Sequence, residues 1–357
     1  MSRFSSAVPA SMIVLCASAF AAASERAGVS PKTERIDAVI YSTRGDEKVH
    51  VLSAADLRPL ATIDAGAGLH EVAIDSTGRY LMGSAYGGPG PGHQPADNRL
   101  VVIDLALRTV HKTITLDGVK RPNDIAFVPG TTDAFVTAEA PQHLLRVGAH
   151  TGEYSKYPLK NPAGHMLALS KDARTVYVSH VKPGHLSVVD AANGVVMKTI
   201  TLPDGAEGMA VSPDGQTVWV ASHQASRISV VSCATGELTR SIICPGMPFR
   251  MEFSPEGQTI AVSCPGAGAI AFIDVASPTS IEFVDTNRLN GQAICEQHVP
   301  TSIAFSADGR RAFAVCSGDE ESVIAVDVAS RTLTRRTRSQ GPTADALASG
   351  AIQWLPD

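Results

Sequence analysis

The sequence predicts an all-β fold, a seven-bladed β-propeller of four-stranded blades closed by a C-terminal strand that completes blade 1. Three observations lead there. The first is a repeat: Ala163–Gly246 reads as two aligned lines, each an apolar run, an S-x-D or S-P-D-G turn, a second apolar run, a polar loop, an alternating run and a last strand. That is four strands per unit, one propeller blade. The second is regular spacing. Apolar triplets recur as Val72-Ala73-Ile74, Ile125-Ala126-Phe127, Leu167-Ala168-Leu169, Met209-Ala210-Val211, Met251-Glu252-Phe253 and Ile303-Ala304-Phe305, with Leu347-Ala348 as a seventh. Their starts lie 53, 42, 42, 42, 52 and 44 residues apart, near the ~40–45 of a four-stranded blade, with two insertions. The third is composition. Hydrophobic residues make up 44%, charged residues only 18%, and there are 30 Gly and 22 Pro, which suits many strands joined by tight turns.

In chain order, residues 1–23 read as a signal peptide. Arg3 supplies the positive end, Ala7–Phe20 the apolar stretch and Ala21-Ala22-Ala23 the cleavage site. The run is too short for a membrane span, so a soluble periplasmic or secreted protein is expected. Residues 24–35 form an N-terminal extension and 36–357 the propeller. Blade 1 has three strands near its start, Asp37–Ser42, Lys48–Leu52 and Leu57–Ile63, with a Gly45-Asp46 turn. Its missing inner strand comes from Ala346–Leu355, which removes the exposed sheet edges. Asp214-Gly215, Glu256-Gly257, Asp308-Gly309 and Thr77-Gly78 turn between first and second strands, where glycine supplies positive φ. Asp172-Ala173 departs from that pattern, so its turn differs or carries strain. The insertions, Tyr86–Asn98 (with His93) in blade 2 and Asn287–His298 after blade 6, fall at one end, the top, where long loops carry function.

The mature chain keeps five cysteines, Cys233, Cys244, Cys264, Cys295 and Cys316. An oxidising compartment permits a disulfide but the sequence does not fix its pairing. Cys264 and Cys316 end equivalent strands, and Cys295 is a candidate to pin the blade 6 insertion. The net charge of −5 and an aromatic content of 5% do not favour nucleic acid. The arginines Arg331, Arg335, Arg336 and Arg338 read as the solvated face of an outer strand. The sequence holds no G-x-S-x-G, P-loop or dinucleotide fingerprint in strand–helix context.

The residue two before each inner triplet is His70, Asn123, His165, Glu207, Phe249, Thr301 and Asp345, followed by Glu71, Asp124, Met166, Gly208, Arg250, Ser302 and Ala346. Seven inner strands around one axis place these at the channel mouth. Arg44, Tyr86, Glu139, His180 and His223 end the second strands beside them. Strand alternation decides which of each pair faces inward, and the sequence leaves that open.

The units Met209-Ala-Val-Ser-Pro-Asp-Gly-Gln-Thr-Val-Trp-Val-Ala221 and Leu186-Ser-Val-Val-Asp190 resemble the YVTN-type propeller repeat. Nearly all of the mature chain resembles the YVTN/YncE-like exported seven-bladed propellers. Some members of that group carry His-Glu, Tyr-Gly, Glu, His-Met, Glu-Gly and Pro-x-Arg. This chain has His70-Glu71, Tyr86-Gly87, Glu139, His165-Met166, Glu207-Gly208 and Pro248-Phe249-Arg250, and departs at Asn123-Asp124, where His-Gly would stand. The resemblance implies the fold and no single activity.

Three functions compete. The first is small-molecule binding in the top funnel, with His70, His165, Glu207 and Arg250 central and Glu71, Tyr86, Asn123, Asp124, Glu139, His180, His223, Phe249 and Asp345 around them. The second is acid–base catalysis of lyase, lactonase or isomerase type by the same groups, with Arg250 on a substrate carboxylate or enolate. It would run with or without a divalent metal held by His70, His165 and Glu207. The third is a protein-interaction scaffold whose partner sits on the top loops.

Overall fold

The computed structural model describes residues 38–43, 45, 47–88, 95–294, 298–318, 321–338 and 353–355. The signal peptide, the extension, Arg44, Asp46, His93, Cys295, Asp345 and Leu347-Ala348 lie outside them. Seven antiparallel blades stand in a ring. Blade 1 pairs Ala38–Thr43, Lys48–Ser53 and Pro59–Asp64, and its inner position is filled by Gln353–Leu355, in the register Ala38↔Leu355, Val39↔Trp354 and Ile40↔Gln353. Blades 2 to 6 begin with inner strands Leu69–Ile74, Lys120–Phe127, Gly164–Leu169, Ala206–Val211 and Met251–Phe253. Blade 7 splits its inner strand into His298–Pro300 and Ala304–Phe305, both on Arg311–Gly318. Inner strands touch in ring order, and the C-terminal strand meets those of both blade 7 and blade 2.

The core is divided as the strands alternate. Seven apolar clusters fill the seven blade-to-blade interfaces. In Thr217–Ser222, Val218 and Val220 enter the blade 4–5 cluster, while Trp219 and Ala221 enter the blade 5–6 cluster. Each strand buried on both faces thus reads as a continuous apolar run. Outer strands are largely exposed, as in Leu238–Ile243, where Ile242 alone is buried.

The S-P-D-G turns have a shared hydrogen-bond design. Ser212 Oγ donates to Asp214 Oδ1 at 2.5 Å and accepts the Thr217 N–H, while Asp214 Oδ1 accepts the Gln216 N–H. Ser306 and Asp308 repeat the pattern. Ser170 and Asp172 repeat it in blade 4 too, so that turn does not differ: Ala173 takes the glycine position at φ 56°.

The blade 6 insertion forms a small hairpin, Arg288–Leu289 with Gln292–Ala293. It lies beside the outer strand of blade 7, Thr332–Arg338, with Leu289 and Ile294 packed on the blade 6–7 core. Its described part is therefore placed at the rim. Arg335 and Arg338 on that outer strand are exposed, whereas Arg331 stacks its guanidinium 4.5 Å from the Phe272 ring centre.

Candidate functional site

The channel mouth is built from irregular backbone. In blades 2 to 5 the pairing of first and second strands slips between Leu69 and Glu71, Pro122 and Ile125, Gly164 and Leu167, and Ala206 and Met209. The slips fall on His70, Asn123-Asp124, His165-Met166 and Glu207-Gly208. A bulge re-aims side chains, so simple alternation does not apply at these pairs. Two residues before the aligned position the chain is left-handed, at Arg121 (φ 57°), Ala163 (54°), Gly205 (83°) and, in blade 6, Met247 (67°). Three of the four are not glycine and hold a conformation that costs about 1–2 kcal/mol each.

Buried hydroxyls of the second strands hold this backbone in place. Ser84 accepts the Glu71 N–H, Thr137 the Asp124 N–H, Ser179 the Met166 N–H and Ser263 the Arg250 N–H. Thr137 also donates to the His165 carbonyl and Ser179 to the Glu207 carbonyl, so neighbouring blades are tied at the site. A Cβ on Gly208 would lie 1.9 Å from the Phe249 carbonyl oxygen. Only glycine lets the backbones of blades 5 and 6 meet there, which brings Glu207 and Arg250 together.

The side chains form a chain of contacts around the mouth that begins and ends on blade 2. Arg250 of blade 6 donates through Nη2 to Glu71 Oε1 of blade 2 at 3.0 Å and through Nη1 to Glu207 Oε1 of blade 5 at 2.9 Å. His165 of blade 4 lies with Nε2 3.1 Å from Glu207 Oε1 and Nδ1 2.8 Å from Glu139 Oε1 of blade 3. Glu139 Oε2 accepts the Tyr86 hydroxyl, which returns the circuit to blade 2. Asn123 donates to Glu139 Oε1 at 2.9 Å, and His223 Nδ1 lies 3.0 Å from Glu207 Oε2. The rim is aromatic. Phe249 lies 4.3 Å from Arg250 Cζ, Tyr86 lies 4.8 Å from Arg121 Cζ, and the His70 ring stands 5.0 Å from that of Tyr86.

The electrostatics lock these charges. Burial by itself would lower the His165 pKa, but Glu207 and Glu139 outweigh it and push it up to about 10. His165 is thus an imidazolium at neutral pH. Burial also works against an ionised Glu207, yet His165, His223 and Arg250 hold its carboxyl well below the usual range. Glu139 is lowered against its own burial by His165, Tyr86 and Asn123. Burial and the neighbouring Glu139 raise the Tyr86 phenol. Asp124 behaves differently: burial, then the Glu71 charge, push it up to about 7. Its Oδ2 accepts the Leu167 N–H of the next inner strand at 2.8 Å.

The sequence-derived residues divide accordingly. Glu71, Tyr86, Asn123, Glu139, His165, Glu207, His223 and Arg250 are joined in one network, with His70 and Phe249 against its aromatic members. His180 is elsewhere: fully buried, with Nδ1 on the Pro162 carbonyl and Nε2 on Ser187 Oγ. Arg250 is sandwiched between two carboxylates rather than presented to a substrate carboxylate. His70, His165 and Glu207 are not assembled as a donor set, because His165 turns both nitrogens to carboxylates. Among the described residues no cluster of three or more His, Cys, Asp or Glu side chains is arranged to hold a metal ion. Cys264 lies with its Sγ 4.0 Å from that of Cys244, in the blade 5–6 core, while Cys316 belongs to the blade 6–7 core.

Three features were missed in the sequence. Arg121 is buried, stacks on Tyr86 and donates to the Gly87 carbonyl. The hydroxyls Ser84, Thr137, Ser179 and Ser263 recur at one strand position, a signal visible in the repeat. Glu252 stands where every other described inner triplet has alanine at its centre. It accepts the Phe305 N–H of blade 7, and burial pushes its carboxyl up to about 8.

Fold and site together define a seven-bladed β-propeller with a buried Glu–His–Arg circuit at one end of its channel. No family model matches the chain, and no curated protein matches it. Among solved structures it is similar to a functionally unknown protein from Desulfotomaculum acetoxidans, with a TM-score of 0.68 and 15% identity over 90% of this chain and 100% of that one. The likeness is one of fold. Among the described residues no helix is long and apolar enough to cross a membrane.

Proposed function

We propose that this chain is an exported propeller of the YVTN/YncE-like kind that binds a small molecule at the mouth of its central channel. One observation carries the reading: five blades each give a polar side chain, buried in all but His165 of blade 4, to a single network. Taking ions out of water costs several kcal/mol each, and apolar residues of similar volume would often serve stability as well. Charges kept there at that cost favour recognition, and a fixed polar floor under an aromatic rim suits a ligand. Export rests on residues 1–23.

Binding stands ahead of acid–base catalysis. A proton-transfer group works best with a pKa near the operating pH; His165 and Glu207 are held in fixed charge states, and Asp124, though pushed up to about 7, has both carboxyl oxygens on backbone N–H groups. Native mass spectrometry of protein purified without an affinity tag, wild type beside Glu207→Gln and His165→Ala, tests the proposal. A co-purifying mass lost in both folded variants supports it. Retention of that mass in both would move the function to a scaffold role of the top loops.

A further inference from the structure

The mouth of the channel is short of available cations and supplied with acceptors. Its cations are engaged: Arg250 meets Glu71 and Glu207, His165 meets Glu139 and Glu207, and Arg121 gives Nη1 to the Gly87 carbonyl and lies over the Tyr86 ring. The Tyr86 hydroxyl and the Asn123 amide nitrogen are both given to Glu139. What remains accepts. Asn123 is fully buried within the circuit, and its Oδ1 has no hydrogen-bond partner among the described residues. Asn123 Nδ2 lies 2.9 Å from Glu139 Oε1 and 2.8 Å from His165 Nδ1, and turning the amide over would set the oxygen against the Glu139 carboxylate. Glu71 uses Oε1 for Arg250, and its Oε2 has no partner among the described residues.

A buried acceptor left unsatisfied costs about 1–3 kcal/mol. A ligand that donates to Asn123 Oδ1 recovers this, whereas one that only accepts leaves it unmet. An anion would also have to displace Glu71 or Glu207 from Arg250, breaking a buried ion pair.

We infer that the ligand of this site is a small molecule whose polar edge donates hydrogen bonds, an ammonium or a set of hydroxyls, and that carboxylates and phosphates are excluded. The inference rests on the binding role proposed above and adds the chemical class. Three probe sets presented to the untagged full-length protein by isothermal titration test it: linear alkyl diamines, monosaccharides and linear polyols, and dicarboxylates with sugar phosphates. Binding confined to the first or the second set, and at least ten-fold weaker in Glu71→Gln, is the expected result; the set that binds separates an ammonium from hydroxyls. Where Glu71→Gln folds poorly, Asn123→Ala, which removes the unpaired acceptor, is expected to weaken the same set at least ten-fold, and unchanged binding there overturns the donor class. Binding of the third set, or of none, overturns the donor class. The two failures are separable: an anionic mass co-purifying in the native spectrum contradicts the class but keeps the site, and its absence together with no binding contradicts both.

Discussion

Glu207 meets three members of the circuit, Arg250, His165 and His223, at 2.9 to 3.1 Å. Removing its charge leaves two buried cations short of a partner. Breaking a buried pair on one side costs about 3–5 kcal/mol, so Glu207→Gln is expected to lose roughly 3 kcal/mol in urea unfolding. A loss below about 1 kcal/mol would mean that the ion pairs are not formed. His165 gives a pH signature. Its folded pKa, about 10, lies above its ordinary 6.5. The native state therefore holds an extra proton between those values. The stability it contributes is complete below pH 6.5 and disappears as pH rises through 10, at up to about 1.4 kcal/mol per pH unit. Glu252, raised from 4.5 to about 8, also makes the native state bind more protons and acts in the same direction over its own range. Melting temperature should fall from pH 6.5 to 10, and fall less steeply in His165→Gln. Equal slopes would place His165 outside the circuit. On the acid side the lowered carboxyls of Glu139 and Glu207 lose their contribution as pH drops below about 4.5.

At the scale of the strand and turn, much was legible. The six described triplets predicted their inner strands, while blade 1 is filled by Gln353–Leu355, and the S-P-D-G units predicted tight turns. Ala173 was expected to differ or carry strain, and it takes the strained option, a left-handed residue in the shared turn. Ala173→Gly relieves that conformation, which costs about 1–2 kcal/mol, against a smaller gain in unfolded-chain entropy. A net stabilisation of about 0.5–1 kcal/mol by thermal unfolding is expected; a loss would show that the turn is not left-handed at Ala173. Side-chain direction at the mouth was not legible. Alternation has a period of two, and the bulges at His165-Met166 and Glu207-Gly208 interrupt it where the site lies. His180 shows the other limit. In the aligned repeat it stands at the position of Ala138, one residue short of Glu139 and on the other strand face, where Ser187 and the Pro162 carbonyl engage both of its nitrogens.

At the scale of the whole molecule, closure does the assembling. Gln353–Leu355 fills the inner position of blade 1 and touches the inner strands of blades 7 and 2. Without it, Ala38–Thr43 becomes an unpaired edge. A chain ending at residue 352 is expected to melt in a broader, lower transition and to self-associate on a sizing column; a monomer of unchanged melting temperature would argue against closure. The count of blades and this closure were readable because each blade repeats one pattern. The partners across the ring were not, since Glu71 and Arg250 stand 179 residues apart and no local pattern couples them. Blades 2 and 6 face each other across the axis, so this pair exists only if the ring closes and both side chains reach its centre. A double-mutant cycle on Glu71→Gln and Arg250→Gln, read by urea unfolding, measures that contact most directly. We predict a coupling of about 1–3 kcal/mol, while effects that add to within about 0.5 kcal/mol would contradict the assembled circuit.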